Sequence, residues 1–270
     1  MTSDCSLLVI VGPTASGKTA LAIEVAERFD GEIICADSRT VYKGLDIGTA
    51  KPTPEERVSV PHHLIDVVDP DQPFSVADFK RLAEQAITDI RGLGKLPVLV
   101  GGSGLYIDAI IYGYQFSADG AQRSAQNPRH LAVSEDADRQ TLLPGIVVVG
   151  LEVPREVLRQ RVTDRVDVMV DQGFADEVWW LREHYPGSKA LDAPGYKAFR
   201  EYLDGHKTLE EAKADFVRND MQLAKRQMTW FRRNKSIHWL DGLDPELTEA
   251  VSLLIDTMNT GMNANIIGTP

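Results

Sequence analysis

Gly12-Pro13-Thr14-Ala15-Ser16-Gly17-Lys18-Thr19 directly follows the apolar run Leu7 to Val11, and Leu21, Val25 and Phe29 come after it at helical spacing. Strand, glycine loop and helix in that order match the phosphate-binding pattern G-x-x-x-x-G-K-[ST] in both spacing and context. The glycines let backbone N–H groups converge on phosphate oxygens, and the helix behind them adds the positive end of its dipole. In such a loop Lys18 reaches a bridging or terminal phosphate, and the Thr19 hydroxyl ligates Mg²⁺. A chance glycine turn before a helix is the plainer alternative, but it leaves the full eight-residue pattern unexplained. The chain is therefore expected to handle a diphosphate or triphosphate.

The elements that must position this loop are legible around it. Strand-like segments at Leu7–Val11, Glu32–Ala36, Pro97–Val100 and Ile146–Leu151 alternate with helical patterns over 19–29, 75–91, 103–112, 154–183 and 208–232. Such alternation implies βαβ crossovers: an α/β fold with a parallel sheet covered by helices on both faces. The pattern over 154–183 repeats apolar residues from Leu158 to Leu181 and has a candidate break at Gly173. The second strand delivers Asp37-Ser38 to its carboxyl end, on the sheet edge where the glycine loop sits and where open α/β sheets place their ligands. Asp37 could serve as a base or metal ligand near phosphate, or simply cap the segment after it. The strand over 97–100 ends in no acid. It runs instead into Gly101-Gly102-Ser103-Gly104, three glycines around one hydroxyl, which suggests backbone brought close to a ligand.

With 43% hydrophobic and 26% charged residues, the 270-residue chain has an ordinary globular composition. No apolar run approaches the length of a membrane span, so no membrane partner is expected. The acidic start reads as a first strand and not as a signal peptide. Cys5 and Cys35 are too few for a disulfide framework and fit a reducing cytoplasm. A net charge of −11 argues against indiscriminate coating of nucleic acid. Yet residues 218–235 hold six basic side chains against the single acid Asp220. Arg218, Lys225 and Arg232 recur every seven residues as one stripe, with Leu209, Ala212, Phe216, Leu223 and Trp230 on another face. A solvated basic face is the bland reading; its contrast with an acidic protein favours an anionic partner. His62 and His63, as strand neighbours, diverge and are expected to be structural hydrogen-bonders. Trp179 and Trp180 are expected to include a core residue.

Five ordered motifs carry a resemblance: GPTASGKT at 12–19, ADSRTVYKGLDIGTAKPT at 36–53, PHHLID at 61–66, GGSGLYI at 101–107 and AKRQMTWFRR at 224–233. Across residues 7–115 and 146–241 the chain resembles the tRNA dimethylallyltransferases, also called tRNA isopentenyltransferases. The resemblance implies a P-loop NTPase-like core formed by 1–115 and 145–257. It also implies transfer of a dimethylallyl group from dimethylallyl diphosphate to N6 of the adenine 3′ of the tRNA anticodon. Residues 12–19 would bind the diphosphate, with Mg²⁺ on Thr19 as the cofactor. Lys18, Asp37 and Ser103 would be catalytic, Lys18 stabilising the leaving diphosphate and Asp37 accepting the amine proton. Ser103 stands where most relatives have Thr and would hydrogen-bond around the same amine or phosphate. Asp37, Ser38, Arg39 and Thr40 resemble the base-contacting stretch, and Arg218, Lys225, Arg226 and Arg232 would meet the anticodon stem-loop.

The chain also departs from that family. Relatives carry a helical insertion of several dozen residues that grips the anticodon stem; here 116–144 offers a reduced accessory insertion, with Asn127-Pro128-Arg129 as a remnant. An arginine of the family is replaced by Met221, for which Arg218 one turn earlier could substitute against the diphosphate. The Asn-, Gly- and Thr-rich tail over 258–270 is expected to be disordered, and the protein is expected to be a monomer. Three rival readings stay open: an adenylate isopentenyltransferase acting on free AMP, ADP or ATP, a small-molecule P-loop kinase, and a non-catalytic RNA-binding remnant.

Overall fold

The computed structural model describes residues 5–116 and 141–260. Six parallel strands form one sheet in the order β3-β2-β4-β1-β5-β6. They are β1 (Leu7–Val11), β2 (Gly31–Cys35), β3 (His62–His63), β4 (Leu96–Gly101), β5 (Ile146–Glu152) and β6 (His238–Asp241). All five residues of β1 are buried, which is why it reads as an unbroken apolar run instead of an alternating one: it is central and covered on both faces. Its neighbours are in register at Val9 with Leu99 on one side and Val148 on the other.

Nine α-helices are described: α1 (Lys18–Arg28), α2 (Pro54–Ser59), α3 (Val76–Gly92), α4 (Gly104–Ile111), α5 (Arg155–Asp171), α6 (Phe174–His184), α7 (Pro194–Leu203), α8 (Leu209–Phe231) and α9 (Leu247–Thr260). One core joins a sheet face to α3 and α4 through Phe79, Ile90, Ile107 and Ile110. The opposite core joins the other face to α1 and α9 through Leu21, Val25, Val251 and Ile255. The sheet is thus covered on both faces, as the alternation of elements implies. None of the helices is long and apolar enough to cross a membrane.

A third core has no strand in it. Phe174, Tyr196, Phe199 and Phe216 from α6–α8 pack together and against Val41 and Leu45 of the segment after β2. The candidate break at Gly173 is real: its φ of 94° ends α5 and starts α6, so the single helix expected over 154–183 is two. The turn lets Phe174 enter this core and lets α6 reach the 44–48 segment. There Glu177 accepts the N–H groups of Asp46, Ile47 and Gly48 at 2.7–2.9 Å, and the Tyr196 hydroxyl donates to it at 2.6 Å. Lys51, its side chain buried, donates to the Tyr42 carbonyl, Asp46 and Asp66. These two clamps fix the long segment that leaves β2 beside the glycine loop.

Capping boxes set three helix starts, Thr53 with Glu56 for α2, Ser75 with Asp78 for α3 and Thr208 with Glu211 for α8. The elements β6, α2, α7 and α9 were not foreseen from periodicity. The tail expectation is corrected in part: 258–260 belong to α9, and 261–270 lie outside the described residues. Of the expected insertion at 116–144, residues 117–140 lie outside them too, Asn127-Pro128-Arg129 included.

Candidate donor and acceptor cavities

The glycine loop needs backbone that few side chains tolerate. Gly17 sits at φ 94°, and Gly12 at 153° has Ser16 Oγ 3.0 Å and the Leu151 carbonyl 3.2 Å from where a Cβ would lie. Ala15 adopts φ 62° without being glycine, which is local strain of the kind found at ligand sites. The loop wraps a cavity of about 240 Å³ lined by Thr14 to Thr19, Asp37, Thr40 and Arg165. Lys18 Nζ donates to the Pro13 carbonyl at 2.6 Å. Ser16 Oγ and Thr40 Oγ1 are buried with no hydrogen-bond partner. Unmet donors and a confined ammonium around a loop of this shape suit an incoming polyanion.

Thr19 is exposed on that cavity, and the described residues contain no cluster of three or more acidic, His or Cys side chains. Such a donor set fits Mg²⁺ of the kind that takes few protein ligands and keeps phosphate oxygens and waters.

Burial pushes the Lys18 ammonium down to about 8, with the Asp37 charge opposing the shift and Arg165 reinforcing it. The ammonium therefore costs folding stability below pH 8, a cost that fades as the pH rises toward the ordinary lysine value of 10.5. A bound diphosphate would restore the charged form. Above pH 8 binding must then take up a proton, so pyrophosphate affinity should fall about tenfold per pH unit between roughly 8.5 and 10. Calorimetric titration across that range checks this, and a flat affinity would detach Lys18 from the phosphate.

The segments that carry Asp37 and Ser103 come together where β2 and β4 end. Gly101 lets the two strand ends close up: a Cβ there would lie 2.1 Å from the Ala36 carbonyl oxygen. Ser103 Oγ accepts the Ser38 N–H at 3.1 Å. Asp37 Oδ1 accepts the Arg39 N–H at 2.7 Å, so the capping role is real. Its Oδ2 accepts no hydrogen bond from a described residue, which leaves a free oxygen on a residue that lines the cavity.

On the far side of this wall opens a second cavity of about 540 Å³, lined by Ser38, Arg39, Ser103, Tyr106, Phe74 and Trp230. The stretch 37–40 is thus split: Asp37 and Thr40 face the phosphate side, Ser38 and Arg39 the other. Trp230 is held by Nε1 donating to Asp108 at 2.9 Å and carries the Arg233 guanidinium 4.0 Å from its ring. Burial raises Asp108 to about 6, offset by the indole hydrogen bond and Arg233.

Two residues that sequence reasoning left without a role complete the first cavity. Gln227 accepts the Thr14 N–H at 2.9 Å and donates to the Gly102 carbonyl at 3.1 Å, joining the glycine loop to the loop after β4. Arg165 donates to Thr14 Oγ1 at 2.8 Å and to Asp220 at 2.5 Å. Substitution by Arg218 for the missing arginine at 221 is therefore corrected. Arg218 is exposed, pairs with Asp215 at 2.6 Å, and lines a separate cleft with Lys197 and Arg226. The signal in the sequence is Arg161 and Arg165 one helical turn apart on the otherwise apolar-patterned α5.

The inner face of α8 is the expected one in part: Ala212 and Phe216 are buried, and Leu209 and Trp230 pack against the cores. Asp220, Ala224 and Phe231 are buried as well, while Leu223 lines the first cavity. Arg218, Lys225, Arg226 and Arg232 all point outward as a stripe, with Arg232 also pairing with Glu152 at 3.2 Å. His62 and His63 are hydrogen-bonders, to the Val60 carbonyl and Glu32 at 2.7 Å each. Trp180 packs over Gly44, and Trp179 is half exposed.

Comparison with known proteins gives a consistent picture. The family model "IPP transferase" matches residues 40–143 and 126–234, and "Isopentenyl transferase" matches 5–67. A tRNA dimethylallyltransferase of Staphylococcus aureus is 40% identical over an alignment of 286 positions, covering 87% of this chain and 92% of the relative. That alignment is longer than the chain, so the relative carries residues this chain lacks. Among solved structures, a tRNA isopentenylpyrophosphate transferase of Bacillus halodurans superposes with a TM-score of 0.79 at 37% identity, covering 94% of this chain and 98% of its own. The corresponding protein of Staphylococcus epidermidis gives 0.80 at 35%, covering 93% and 99%. A eukaryotic dimethylallyltransferase acting on tRNA shares the fold, with a TM-score of 0.77 at 24% identity.

Proposed function

From the premise that the chain belongs to the tRNA dimethylallyltransferase family, we propose how its residues divide the transfer of a dimethylallyl group from dimethylallyl diphosphate to N6 of the adenine 3′ of the tRNA anticodon. The diphosphate occupies the cavity wrapped by residues 12–19, and the adenine enters from the second cavity. The observation that carries this is that neighbouring strand ends line the two cavities, Asp37 the first and Ser103 the second.

The reaction breaks the allylic C1–O bond, whose electron pair leaves with the diphosphate, and forms a C1–N6 bond. Charge grows on the departing oxygens, so preset N–H groups, Lys18 and Arg165 stabilise the transition state more than the ground state. The exocyclic amine is a weak nucleophile, and the free Oδ2 of Asp37 accepts its proton as the new bond forms. Ser103, with one lone pair held by the Ser38 N–H, has its O–H to donate to amine or diphosphate. Apolar lining from Val100 and Leu223 limits capture of the allylic cation-like centre by water. Mg²⁺, held by Thr19 and diphosphate oxygens, would supply further charge neutralisation on the leaving group.

Arg39 sits at the mouth of the acceptor cavity, and the outward stripe of Arg218, Lys225, Arg226 and Arg232 takes phosphates of the anticodon stem-loop, positioning without reading sequence. A reduced insertion at 116–144 leaves more of that work to the stripe. The free thiols of Cys5 and Cys35 support a reducing, cytoplasmic setting.

The test is transfer of label from radioactive dimethylallyl diphosphate with Mg²⁺, offering unmodified tRNA and free AMP, ADP and ATP separately. Label in tRNA alone is expected. Label in a free nucleotide alone would reassign the acceptor, and no label anywhere would point to a non-catalytic RNA-binding remnant or a kinase.

A further inference from the structure

Asp220 is a buried carboxylate that none of the chemistry above uses. It lies on the inner face of α8, two turns before Gln227, and its Oδ2 takes the Arg165 guanidinium at 2.5 Å. The same Arg165 nitrogen donates to Thr14 Oγ1 inside the glycine loop at 2.8 Å. Arg165 Nε is buried with no hydrogen-bond partner, and the residue lines the donor cavity. One arm of the guanidinium is therefore committed to an acid and a hydroxyl, while its other donors are unspent at the edge of the phosphate site.

Two effects of Asp220 on a diphosphate compete. Its negative charge, in a site shared with Asp37, repels the ligand. Its hold on Arg165 favours the ligand, because a planar fork meets phosphate oxygens well only when its plane is fixed. Burial raises the Asp220 carboxyl and Arg165 opposes that rise, so the pair stabilises its own charged state. Met221, which follows, brings no charge, so Arg165 is the guanidinium that lines this cavity among the described residues. Its orientation then matters more than the repulsion.

We propose that Asp220 is a positioning residue of the donor site: it grips Arg165 by one nitrogen so that the remaining donors meet the diphosphate. The proposal rests on the reading of the cavity at residues 12–19 as the diphosphate site. It places specificity for the donor partly on a helix whose opposite face carries the basic stripe.

The test separates grip from charge. D220N keeps an acceptor for the guanidinium and removes the charge; D220A removes both. The full chain is titrated with inorganic pyrophosphate and Mg²⁺, and KM is measured for dimethylallyl diphosphate and for tRNA. D220A is expected to bind pyrophosphate about tenfold or more weakly, the scale of a lost charge-assisted contact. Its donor KM should rise with tRNA KM unchanged, while D220N stays within about threefold of the parent or binds more tightly. D220S, too short to reach the guanidinium, replaces D220A if that protein does not fold. Tighter binding by both variants would make Asp220 a repulsive charge and overturn the proposal. Equal weakening in D220N would assign the effect to charge and overturn it as well. Unchanged binding in both, with only the melting temperature lowered, would reduce Asp220 to a structural role. A parent protein that binds no pyrophosphate would sink the diphosphate reading itself, and the proposal with it.

Discussion

Asp37→Asn should lower kcat by at least about 10²-fold, the usual scale of general-base catalysis, while leaving tRNA affinity nearly intact. Asparagine is the informative replacement because Asp37 has two jobs. Its Oδ1 caps the turn by accepting the Arg39 N–H, and an amide oxygen can keep that contact. What asparagine cannot do is take a proton from N6. Asp37→Ala should lose as much turnover and, in addition, loosen the 37–40 stretch that forms the wall between the cavities. Single-turnover rates with saturating donor and tRNA measure the chemical step directly. Near-normal rates in the Asn variant would remove Asp37 from proton transfer and leave it a turn-former.

Lys18→Ala should weaken donor binding and slow chemistry together, by about 10²–10³-fold in kcat/KM for dimethylallyl diphosphate. The ammonium touches the leaving group both before and during C–O cleavage, so neither parameter is spared. The part of the pH dependence of pyrophosphate binding that Lys18 causes should also be lost in this variant, because the group that loses its proton near pH 8 is gone. Wild-type donor affinity in Lys18→Ala would overturn the diphosphate assignment. A loss confined to KM would restrict Lys18 to ground-state binding.

Much of the fold was legible because central parallel strands and their crossover helices carry strong, distinct periods. Leu7–Val11 and Ile146–Leu151 are buried on both faces and read as apolar runs, and Phe79, Ala83, Ala86 and Ile90 mark one stripe of α3. What escaped has physical reasons. The strand His238–Asp241 is an edge strand with two of its four residues exposed, so neither apolar run nor alternation marks it. The two-residue β3, where His62 and His63 do read as strand neighbours, has its extent set by its pairing with β2 and not by its own composition. Helix α9 follows a chain segment rich in Asp, Gly and Pro and fades into a polar tail, which masked its start and end.

The site was legible where backbone chemistry dictates sequence. Residues 12–19 need glycine conformations and an ammonium at fixed spacing, and Asp37 and Ser103 fall at strand ends on the same edge. Arg165, Asp220 and Gln227 were not legible as a group, since they come from two helices brought together only by the third core. A polar residue on an otherwise apolar helix face is the trace such a contact leaves, and Asp220 among Phe216, Ala224 and Phe231 was that trace. The stripe of Arg218, Lys225 and Arg232 is legible from its seven-residue recurrence, and these side chains lie on the face that the core leaves bare.

The Gln227 amide also has an evolutionary consequence. It must accept at one end, from the Thr14 N–H, and donate at the other, to the Gly102 carbonyl. Glutamate offers only acceptors and would set an anion against that carbonyl, while lysine or arginine offers only donors and methionine offers neither to any useful extent. A Cβ on Gly102 would lie 2.2 Å from Gln227 Nε2. The two positions therefore constrain each other: a side chain at 102 would push the Gln227 amide off the Gly102 carbonyl, and most replacements at 227 would leave one end of the joint between the loops unmade.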